Sequence, residues 1–303
     1  MNDNVIETRD LTVFYGHHRG ILNLNLSVKR GEVFGFLGPN GAGKTTTQRV
    51  LLDVIHPTRG QASIFGLDSQ KEGVAIRSRV GYLPGEFRPY LNMRGGQFLD
   101  LLASLHRSRV GDSYRRELCE RLELNPSRRL KHYSHGSKQK IGIIAAFMSK
   151  PEVLILDEPT IGLDPLAQQT VLELVREARD EGRTVFFSSH NLPEVQAVCD
   201  RVGIIREGKL VKTESVETLI NQRFNRLKLA LRQSPPLDAF NIEGVAETSR
   251  DGSSVILEIQ QDLDVVLKKA LSYGIENIAT LPVTLEDIFL AYYDRHNRGG
   301  SHA

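Results

Sequence analysis

A glycine-rich loop between two apolar segments constrains this chain more than any other feature. The segment "EVFGFLGPNGAGKTTTQRVLLDVI", residues 32–55, has the pattern of a strand, a loop and a helix. Within it, Gly38, Gly43, Lys44 and Thr45 satisfy the phosphate-loop pattern G-x-x-x-x-G-K-[ST], with the strand before and the helix after that the pattern requires. The sequence therefore predicts an α/β fold with this loop at one edge of a sheet.

The residue types of the loop suit a nucleoside triphosphate. Glycines allow backbone N–H groups to converge on phosphate oxygens, and the following helix presents its positive N-terminal end. Lys44 can neutralise the β- and γ-phosphates, and the Thr45 hydroxyl can bind Mg²⁺. The loop residues predicted to bind the nucleotide are Gly38, Pro39, Asn40, Gly41, Ala42, Gly43, Lys44, Thr45 and Thr46.

Two further strands are predicted to deliver polar groups to the same edge. "PEVLILDEPT" is typical of a buried parallel strand and ends in Asp157 and Glu158. We expect Asp157 to hold Mg²⁺ and Glu158 to polarise the attacking water. "RTVFFSSH" ends in His190, whose imidazole could hydrogen-bond the γ-phosphate. Glu158 and His190 are therefore the predicted catalytic residues.

The composition is that of a globular protein with room for a large and a small domain. The chain has 303 residues, 40% hydrophobic and 25% charged, and a formal charge of +2. This charge gives no global field for nucleic acid, so no nucleic-acid partner is expected. The N-terminus lacks a signal-peptide pattern and no apolar run reaches about 18 residues, so we expect a soluble cytoplasmic protein that needs a partner for any membrane role.

These motifs, in this order, resemble those of the ATP-binding subunit of an ABC transporter. "GPNGAGKTT" resembles the Walker A loop, "VLILDEPT" the Walker B strand, "GLDP" (162–165) the D-loop, and "SSHN" the switch-histidine segment. Tyr15 in "VFYG" stands where the family stacks adenine on an aromatic ring. The resemblance covers residues 5 to about 213 and implies ATP as ligand, with Mg²⁺.

The resemblance also implies the architecture. We expect a P-loop NTPase core with a mixed sheet in a RecA-like subdomain, an antiparallel β-subdomain and an α-helical subdomain at about 86–150. This ABC ATPase domain would occupy residues 1–218. A small C-terminal α+β domain, 219–303, would follow, with a disordered tail at about 297–303.

The segment "YSHGSKQKIG", residues 133–142, lies where the family signature is expected. Ser134 and Gly136 match the signature, whereas His135 replaces its first glycine and Ser137 its glutamine; an ordinary helix begun by Ser134 is the alternative interpretation. The resemblance implies that two copies of the chain enclose two ATP molecules, each signature facing the other copy's phosphate loop. Ser134, Gly136, Ser137 and the D-loop Asp164 are accordingly predicted to bind nucleotide.

A second departure is Gly85, which stands where many relatives carry a metal-contacting glutamine. Glu86 could replace it as a metal ligand or could be an ordinary loop carboxylate. The following "GGQFLDLLASLH" places Phe98, Leu101, Leu102 and Leu105 on one face of an amphipathic helix. In the family this region, with Tyr90 and Leu91 near its start, meets the membrane permease, which is a separate chain.

The C-terminal segment predicts strands at "RLKLALR" and "SVILEIQ", joined across a turn containing Asp251 and Gly252, and a helix at "DLDVVLKKALSYG". A closing helix would begin at Thr284, with Asp287 three residues on. Its "LEDIFLAYY" resembles the tail of subunits that serve exporters of drugs, antibiotics or lipids.

The predicted function is therefore that of the ATPase subunit of an ABC exporter, peripheral on the cytoplasmic face of the membrane. An importer ATPase and a non-transport ABC ATPase acting on a macromolecular assembly are the alternatives.

Overall fold

A computed structural model of the chain describes residues 3–105, 112–221, 225–259 and 263–281. The chain divides into two compact units, Met1–Ser215 and Val216–Ala303. The predicted helix from Thr284 with Asp287, and the predicted disordered tail, lie outside the described residues.

The elements follow one another in this order. The strands are β1 (Asn4–Tyr15), β2 (His18–Lys29), β3 (Val33–Leu37), β4 (Arg59–Ile64), β5 (Leu67–Asp68), β6 (Val80–Leu83), β7 (Val153–Asp157), β8 (Thr184–Ser189), β9 (Arg201–Arg206), β10 (Lys209–Ser215), β11 (Asn225–Leu231), β12 (Val245–Asp251), β13 (Ser254–Ile259) and β14 (Ile275–Leu281). The helices are α1 (Lys44–Leu51), α2 (Gly73–Arg77), α3 (Gly95–Leu105), α4 (Asp112–Arg121), α5 (His135–Phe147), α6 (Pro165–Asp180), α7 (Leu192–Val198), α8 (Val216–Asn221) and α9 (Leu263–Leu271), with a 3₁₀ turn at Leu130–His132.

The largest sheet of the first unit positions the predicted site. Its order is β10-β9-β3-β8-β7-β6, with parallel pairing throughout except between β9 and β10. Strands β3, β7 and β8 are buried along their whole length, as expected for strands covered on both faces. Because they are adjacent and parallel, their carboxyl ends lie side by side. The mixed sheet confirms the predicted α/β fold class.

An antiparallel sheet of order β2-β1-β4-β5 forms the second layer of this unit. Strands β1 and β2 correspond to the two alternating segments near the N-terminus and pair in antiparallel register, for example Thr8 opposite Leu26. One hydrophobic core joins the two sheets through residues such as Ile6, Leu24 and Phe36. The core thereby holds the antiparallel layer against the phosphate-loop strand.

The segment between β6 and β7 is helical and contains α3, α4 and α5. In α3 the buried positions include Phe98, but Leu101 and Leu105 are exposed, so the predicted apolar stripe is only partly covered. Arg121 ties α4 to α6, because its guanidinium donates two hydrogen bonds to the Glu177 carboxylate at 2.8 and 2.7 Å. The helical segment is thus linked to the layer that flanks the main sheet.

The second unit contains an antiparallel sheet of order β12-β13-β11-β14 and helix α9. The predicted strands correspond to β11 and β13, but the turn at Asp251 and Gly252 joins β13 to β12, so its predicted connection to β11 is wrong. The sequence did not predict strand β12, because most of its side chains are polar and exposed and therefore show no alternating apolar pattern. Leu229, Leu257 and Val266 lie in this unit's own core.

Within the described ranges, the helices are too short or too polar to traverse a lipid bilayer.

The aromatic packing of the main sheet gives a prediction about the stability of the first unit. The Phe186 ring lies 5.9 Å from the Phe34 ring and 5.3 Å from the Phe36 ring, measured between centroids. Replacing Phe186 by alanine should lower the free energy of unfolding by about 3–5 kcal/mol, since a fully buried ring leaves a cavity. Urea unfolding followed by circular dichroism measures this loss. Leu166→Ala is the control because Leu166 is exposed, and equal midpoints for the two variants would contradict the prediction.

Candidate functional site

The phosphate loop connects β3 to α1 at the edge where the parallel strands end. Its backbone turns sharply, with φ of +79° at Gly41 and +113° at Gly43, a region that side chains disfavour. A Cβ at Gly38 would lie 2.4 Å from the Ile205 carbonyl oxygen, so only glycine fits against β9 there. The loop is therefore held close to the sheet, with the N-terminal N–H groups of α1 at its end.

Lys44, the first residue of α1, lies inside the loop. Its side chain is only 6% exposed. The ammonium Nζ donates a hydrogen bond to the Gly38 carbonyl at 2.6 Å and lies 3.4 Å from the Pro39 carbonyl. The same Nζ lies 3.4 Å from Glu158 Oε1. The positive charge is thus directed at the point where the loop and the predicted catalytic carboxylate meet.

Asp157, the last residue of β7, joins the loop to β8. Its Oδ2 accepts a hydrogen bond from Thr45 Oγ1 at 2.7 Å, and its Oδ1 accepts one from Ser188 Oγ at 2.5 Å. Burial, and then the charge of Asp157, raise the pKa of the neighbouring Tyr82 to about 12, so its phenol stays neutral. Sequence reasoning missed Ser188, although its position one residue before the end of β8 places it beside β7.

Glu158 follows β7 in a left-handed conformation, with φ of +51°. This conformation is uncommon for a residue with a side chain. The backbone N–H of Glu158 donates to the Ser188 carbonyl at 3.0 Å. Its Oε2 lies 2.8 Å from His190 Nδ1, while Oε1 faces Lys44. The two predicted catalytic residues are therefore in direct contact.

A cleft of about 420 Å³ opens beside these groups. Its lining includes the predicted residues Tyr15, Pro39, Asn40, Gly41, Gly43, Lys44, Thr45, Thr46, Asp157 and Glu158, together with Arg19, Gly20, Gly85 and Ile161. The Tyr15 side chain lies at one end of the cleft and is exposed to solvent. Its hydroxyl lies 3.4 Å from Thr46 Oγ1. The cleft thus extends from an exposed aromatic ring to the Lys44 and Glu158 pair.

Gly85 and Glu86 differ in their relation to this cleft. A Cβ at Gly85 would lie 3.0 Å from Asp157 Oδ2, so glycine lets the chain pass close to the carboxylate. The Glu86 carboxylate is 79% exposed and accepts a hydrogen bond from Arg88 at 2.8 Å. The structure does not bring Glu86 into the cleft lining, because its side chain points to solvent. Its role as a metal ligand remains a prediction.

The predicted signature begins helix α5. Ser134 is the N-cap residue, and its Oγ accepts a hydrogen bond from the Ser137 N–H at 3.1 Å. A Cβ at Gly136 would lie 2.9 Å from the Gly162 carbonyl oxygen. Gly162 has φ of +73°, and a Cβ there would lie 2.5 Å from His135 Cδ2. The helix start and the predicted D-loop are therefore packed against each other within one chain.

Two further contacts complete this packing. Gln139 is buried and its Nε2 donates to the Pro159 carbonyl at 3.1 Å. Asp164 caps α6, since its Oδ1 accepts from the Ala167 N–H at 2.9 Å, and Lys140 Nζ lies 3.5 Å from its Oδ2. The Ala167 hydrogen bond, and then Lys140, hold the pKa of the Asp164 carboxyl below its usual value. Asp164 thus carries a negative charge on this surface at neutral pH.

The fold and the geometry of the cleft define the class of the protein as a P-loop nucleoside triphosphatase. A phosphate loop, an aspartate bonded to its threonine and a glutamate paired with a histidine meet at the carboxyl edge of one parallel sheet.

Comparisons with known proteins identify the family. Residues 21–161 match the family described as ABC transporter. The bacitracin transport ATP-binding protein BcrA of Bacillus licheniformis is 40% identical over 214 residues, 69% of this chain and 69% of that protein. The daunorubicin resistance ATP-binding protein DrrA3 of Streptomyces coeruleorubidus is 32% identical over 303 residues, 96% of each chain. A solved ATP-binding subunit of an ABC transporter superposes with a TM-score of 0.66 at 28% identity, covering 72% of this chain and 92% of that one.

The chain belongs to the ABC transporter ATP-binding protein family, as its motifs predicted. It is the ATP-binding, ATP-hydrolysing subunit of such a transporter.

The contact between Ser188 and Asp157 gives a prediction for the site. If Asp157 holds Mg²⁺ as the sequence predicts, Ser188→Ala should raise the Mg²⁺ concentration for half-maximal ATP hydrolysis roughly tenfold, because loss of the hydroxyl that orients a metal-binding carboxylate weakens metal binding by that order. Steady-state phosphate release over a Mg²⁺ titration measures the shift. Ser189→Ala is the matched control, since Ser189 is equally buried on β8 but bonds to Asn191 and Glu194. Equal Mg²⁺ requirements in both variants would show that Ser188 does not act through Asp157.

Proposed function

We propose that this chain hydrolyses Mg²⁺-bound ATP in the cleft and thereby drives export through a separate membrane permease. The observation that carries the proposal is the contact of Glu158 with both Lys44 and His190 beside the phosphate loop. One relative, a daunorubicin resistance protein, supports export as the direction of transport. Resistance to a compound favours its removal from the cell over its uptake.

ATP would lie with its adenine on the Tyr15 ring and its phosphates in the loop. Backbone N–H groups of the loop after Pro39 would bind the phosphate oxygens there, and the α1 N-terminus adds its positive end. Lys44 would exchange part of its contact with Glu158 for the β- and γ-phosphates. In this arrangement the nucleotide runs along the whole cleft.

The oxygen atoms of Thr45 and Asp157 suit Mg²⁺. They are hard ligands, only 2.7 Å apart, and Mg²⁺ in nucleotide sites takes its other ligands from phosphates and water. Within the described part of the chain, no cluster of three or more His, Cys, Asp or Glu side chains forms a metal cage of another kind. Mg²⁺ would neutralise phosphate charge, and Ser188 would orient Asp157 toward it.

Glu158 would accept a proton from the attacking water. Its carboxylate is 15% exposed and is already fixed by His190 and Lys44, so little reorganisation is required. His190 would hold Glu158 in position and contact the γ-phosphate. These roles are proposals for the residues predicted from the sequence.

Two copies of the chain would act together. Ser134 is exposed at the start of α5, where free N–H groups and a hydroxyl can meet an anion. Gly136, Ser137 and Asp164 lie on the same segment or pack beside it. We propose that this surface faces the ATP bound by the second copy, which requires a two-fold arrangement.

The permease would bind beside α3. Leu105 is 73% exposed and Tyr90 66% exposed, and Leu91, Leu101 and Val54 are also exposed. A groove of about 320 Å³ close by is lined partly by Leu52, Val54, Phe87, Phe98 and Leu102. An apolar surface of this kind suits a short permease helix and would place the chain on the cytoplasmic face of the membrane.

Removal of the Glu158 charge tests the catalytic assignment. Glu158→Gln should keep ATP binding but lower turnover by a factor on the order of 10² to 10⁴, because a positioned base contributes about that much. The bound ATP should also trap a dimer. Phosphate release and size-exclusion chromatography with ATP measure the two effects. Glu173→Gln, at an exposed carboxylate of α6, is the control. Near-normal turnover of Glu158→Gln would exclude the assignment.

Steric and charge blockade of α5 tests the role of the signature surface. Ser134→Arg should abolish ATP-dependent dimer formation and ATP hydrolysis while leaving nucleotide binding by the single chain intact, because the arginine would occupy the face offered to the second copy. Equilibrium binding of a fluorescent ATP analogue measures nucleotide binding separately from dimer formation and hydrolysis. Ser113→Arg, at an exposed position of α4, controls for the added charge. Full hydrolysis by Ser134→Arg would mean that the signature lies elsewhere.

A further inference from the structure

Arg19 lies in the cleft lining but belongs to none of the motifs described above. It is the second residue of β2 and lines the cleft together with Tyr15, Gly20 and the phosphate loop. Its guanidinium Nη2 lies 3.3 Å from Glu207 Oε2, and its side chain remains 39% exposed. Arg19 and Lys44 are the cationic side chains of the cleft lining. The Tyr15 end of the cleft therefore has a positive charge of its own.

The backbone around Arg19 is fixed relative to the phosphate loop. Gly208 follows Glu207 in the turn between β9 and β10. Its N–H donates to the Ala42 carbonyl at 2.9 Å, and its carbonyl accepts from the Leu22 N–H at 2.7 Å. One residue thus links the phosphate loop to β2. A fixed backbone lets an exposed arginine act at a defined place, although its side chain is long.

Glycines allow three segments to approach one another closely here. A Cβ at Gly208 would lie 2.9 Å from the Gly20 carbonyl oxygen, and a Cβ at Gly43 would lie 3.0 Å from the same atom. The phosphate loop, the start of β2 and the turn at Glu207 are therefore in backbone contact. Arg19 and Glu207 project from two of these segments beside the third.

The Glu207 carboxylate lies where it can position the Arg19 guanidinium. Glu207 is 64% exposed and in a left-handed conformation with φ of +49°, while its Oε1 lies 3.9 Å from Arg206 Nε. An exposed ion pair of this type contributes little to stability. It can nevertheless restrict the rotamers of Arg19, which lowers the entropy lost when the guanidinium binds an anion.

We propose that Arg19 is a further nucleotide-binding residue, which pairs with the phosphate nearest the adenosine, and that Glu207 is its positioning residue. The guanidinium offers two parallel N–H donors that match phosphate oxygens. Since Lys44 lies beside Glu158 and Arg19 lies beside Tyr15, Arg19 would meet the α-phosphate, which is bound to ribose and is present in both ATP and ADP. This inference rests on the proposed placement of ATP in the cleft.

A contact of Arg19 with the α-phosphate and a contact with the γ-phosphate predict different effects on ATP and ADP binding. Arg19→Ala should weaken the binding of ATP and ADP by the same factor, about tenfold, because a charge-assisted hydrogen bond to the shared phosphate is lost in both. If Arg19 contacted the γ-phosphate instead, Arg19→Ala would weaken the binding of ATP but not that of ADP. Arg19→Lys should lose part of the affinity, since an ammonium keeps the charge but not the paired donors.

The experiment measures dissociation constants of the full chain for fluorescent ATP and ADP analogues by anisotropy. The Glu158→Gln and Ser134→Arg changes are present throughout, to prevent turnover and ATP-dependent dimer formation. Arg9→Ala is the matched control, because Arg9 is an exposed arginine on β1 whose Nη2 lies 3.4 Å from Glu7, and it does not line the cleft. Lys44→Ala tests the placement of ATP itself. If Lys44→Ala binds nucleotide normally, the placement fails; if it binds poorly while Arg19→Ala matches Arg9→Ala, only the Arg19 assignment is overturned.

A double-mutant cycle tests the role of Glu207. Glu207→Ala should weaken nucleotide binding about threefold when Arg19 is present and have no effect when Arg19 is alanine, since it acts through the guanidinium. An equal effect in both backgrounds would overturn the positioning role. A loss confined to ATP in Arg19→Ala would overturn the assignment to the shared phosphate.

Discussion

The hydrogen bond from Thr45 to Asp157 is the contact on which the site depends. It joins residues 112 positions apart in the chain, one at the start of α1 and the other at the end of β7. Neither segment can form this contact alone, because the sheet must first place β3, β8 and β7 side by side in parallel. The buried aromatic packing of these strands therefore determines whether loop and carboxylate meet.

Strand β8 has a role beyond separating the other two. Its Ser188 hydroxyl holds the second oxygen of Asp157, and its Ser188 carbonyl accepts the N–H of Glu158. His190 follows the same strand and contacts the Glu158 carboxylate. A single buried strand thus orients both Asp157 at the end of β7 and Glu158 after it, and its serine acts through one side-chain and one backbone contact.

The helical segment is connected to this site through backbone contacts. Gln139 reaches the Pro159 carbonyl, and His135 lies against Gly162, so α5 contacts the chain that follows Glu158 from two sides. The start of α5 and the segment that begins at Glu158 are therefore in direct contact. This physical link suits a protein in which hydrolysis in one place must move a partner in another.

The sequence by itself predicted the phosphate loop, the two acidic residues and the histidine, because each depends on local spacing and on apolar strands that periodicity reveals. The family followed from the resemblance of these motifs, in their order, to those of ABC transporter ATP-binding subunits. It also placed the start of α5 at Ser134, since N-capping is a local property. Tertiary structure alone decided that Ser188 orients Asp157, that Glu86 points to solvent, and that the turn at Asp251 pairs β13 with β12. The same holds for Arg19 beside the phosphate loop. These features depend on which distant segments become neighbours, and that is set by the packing of the whole sheet.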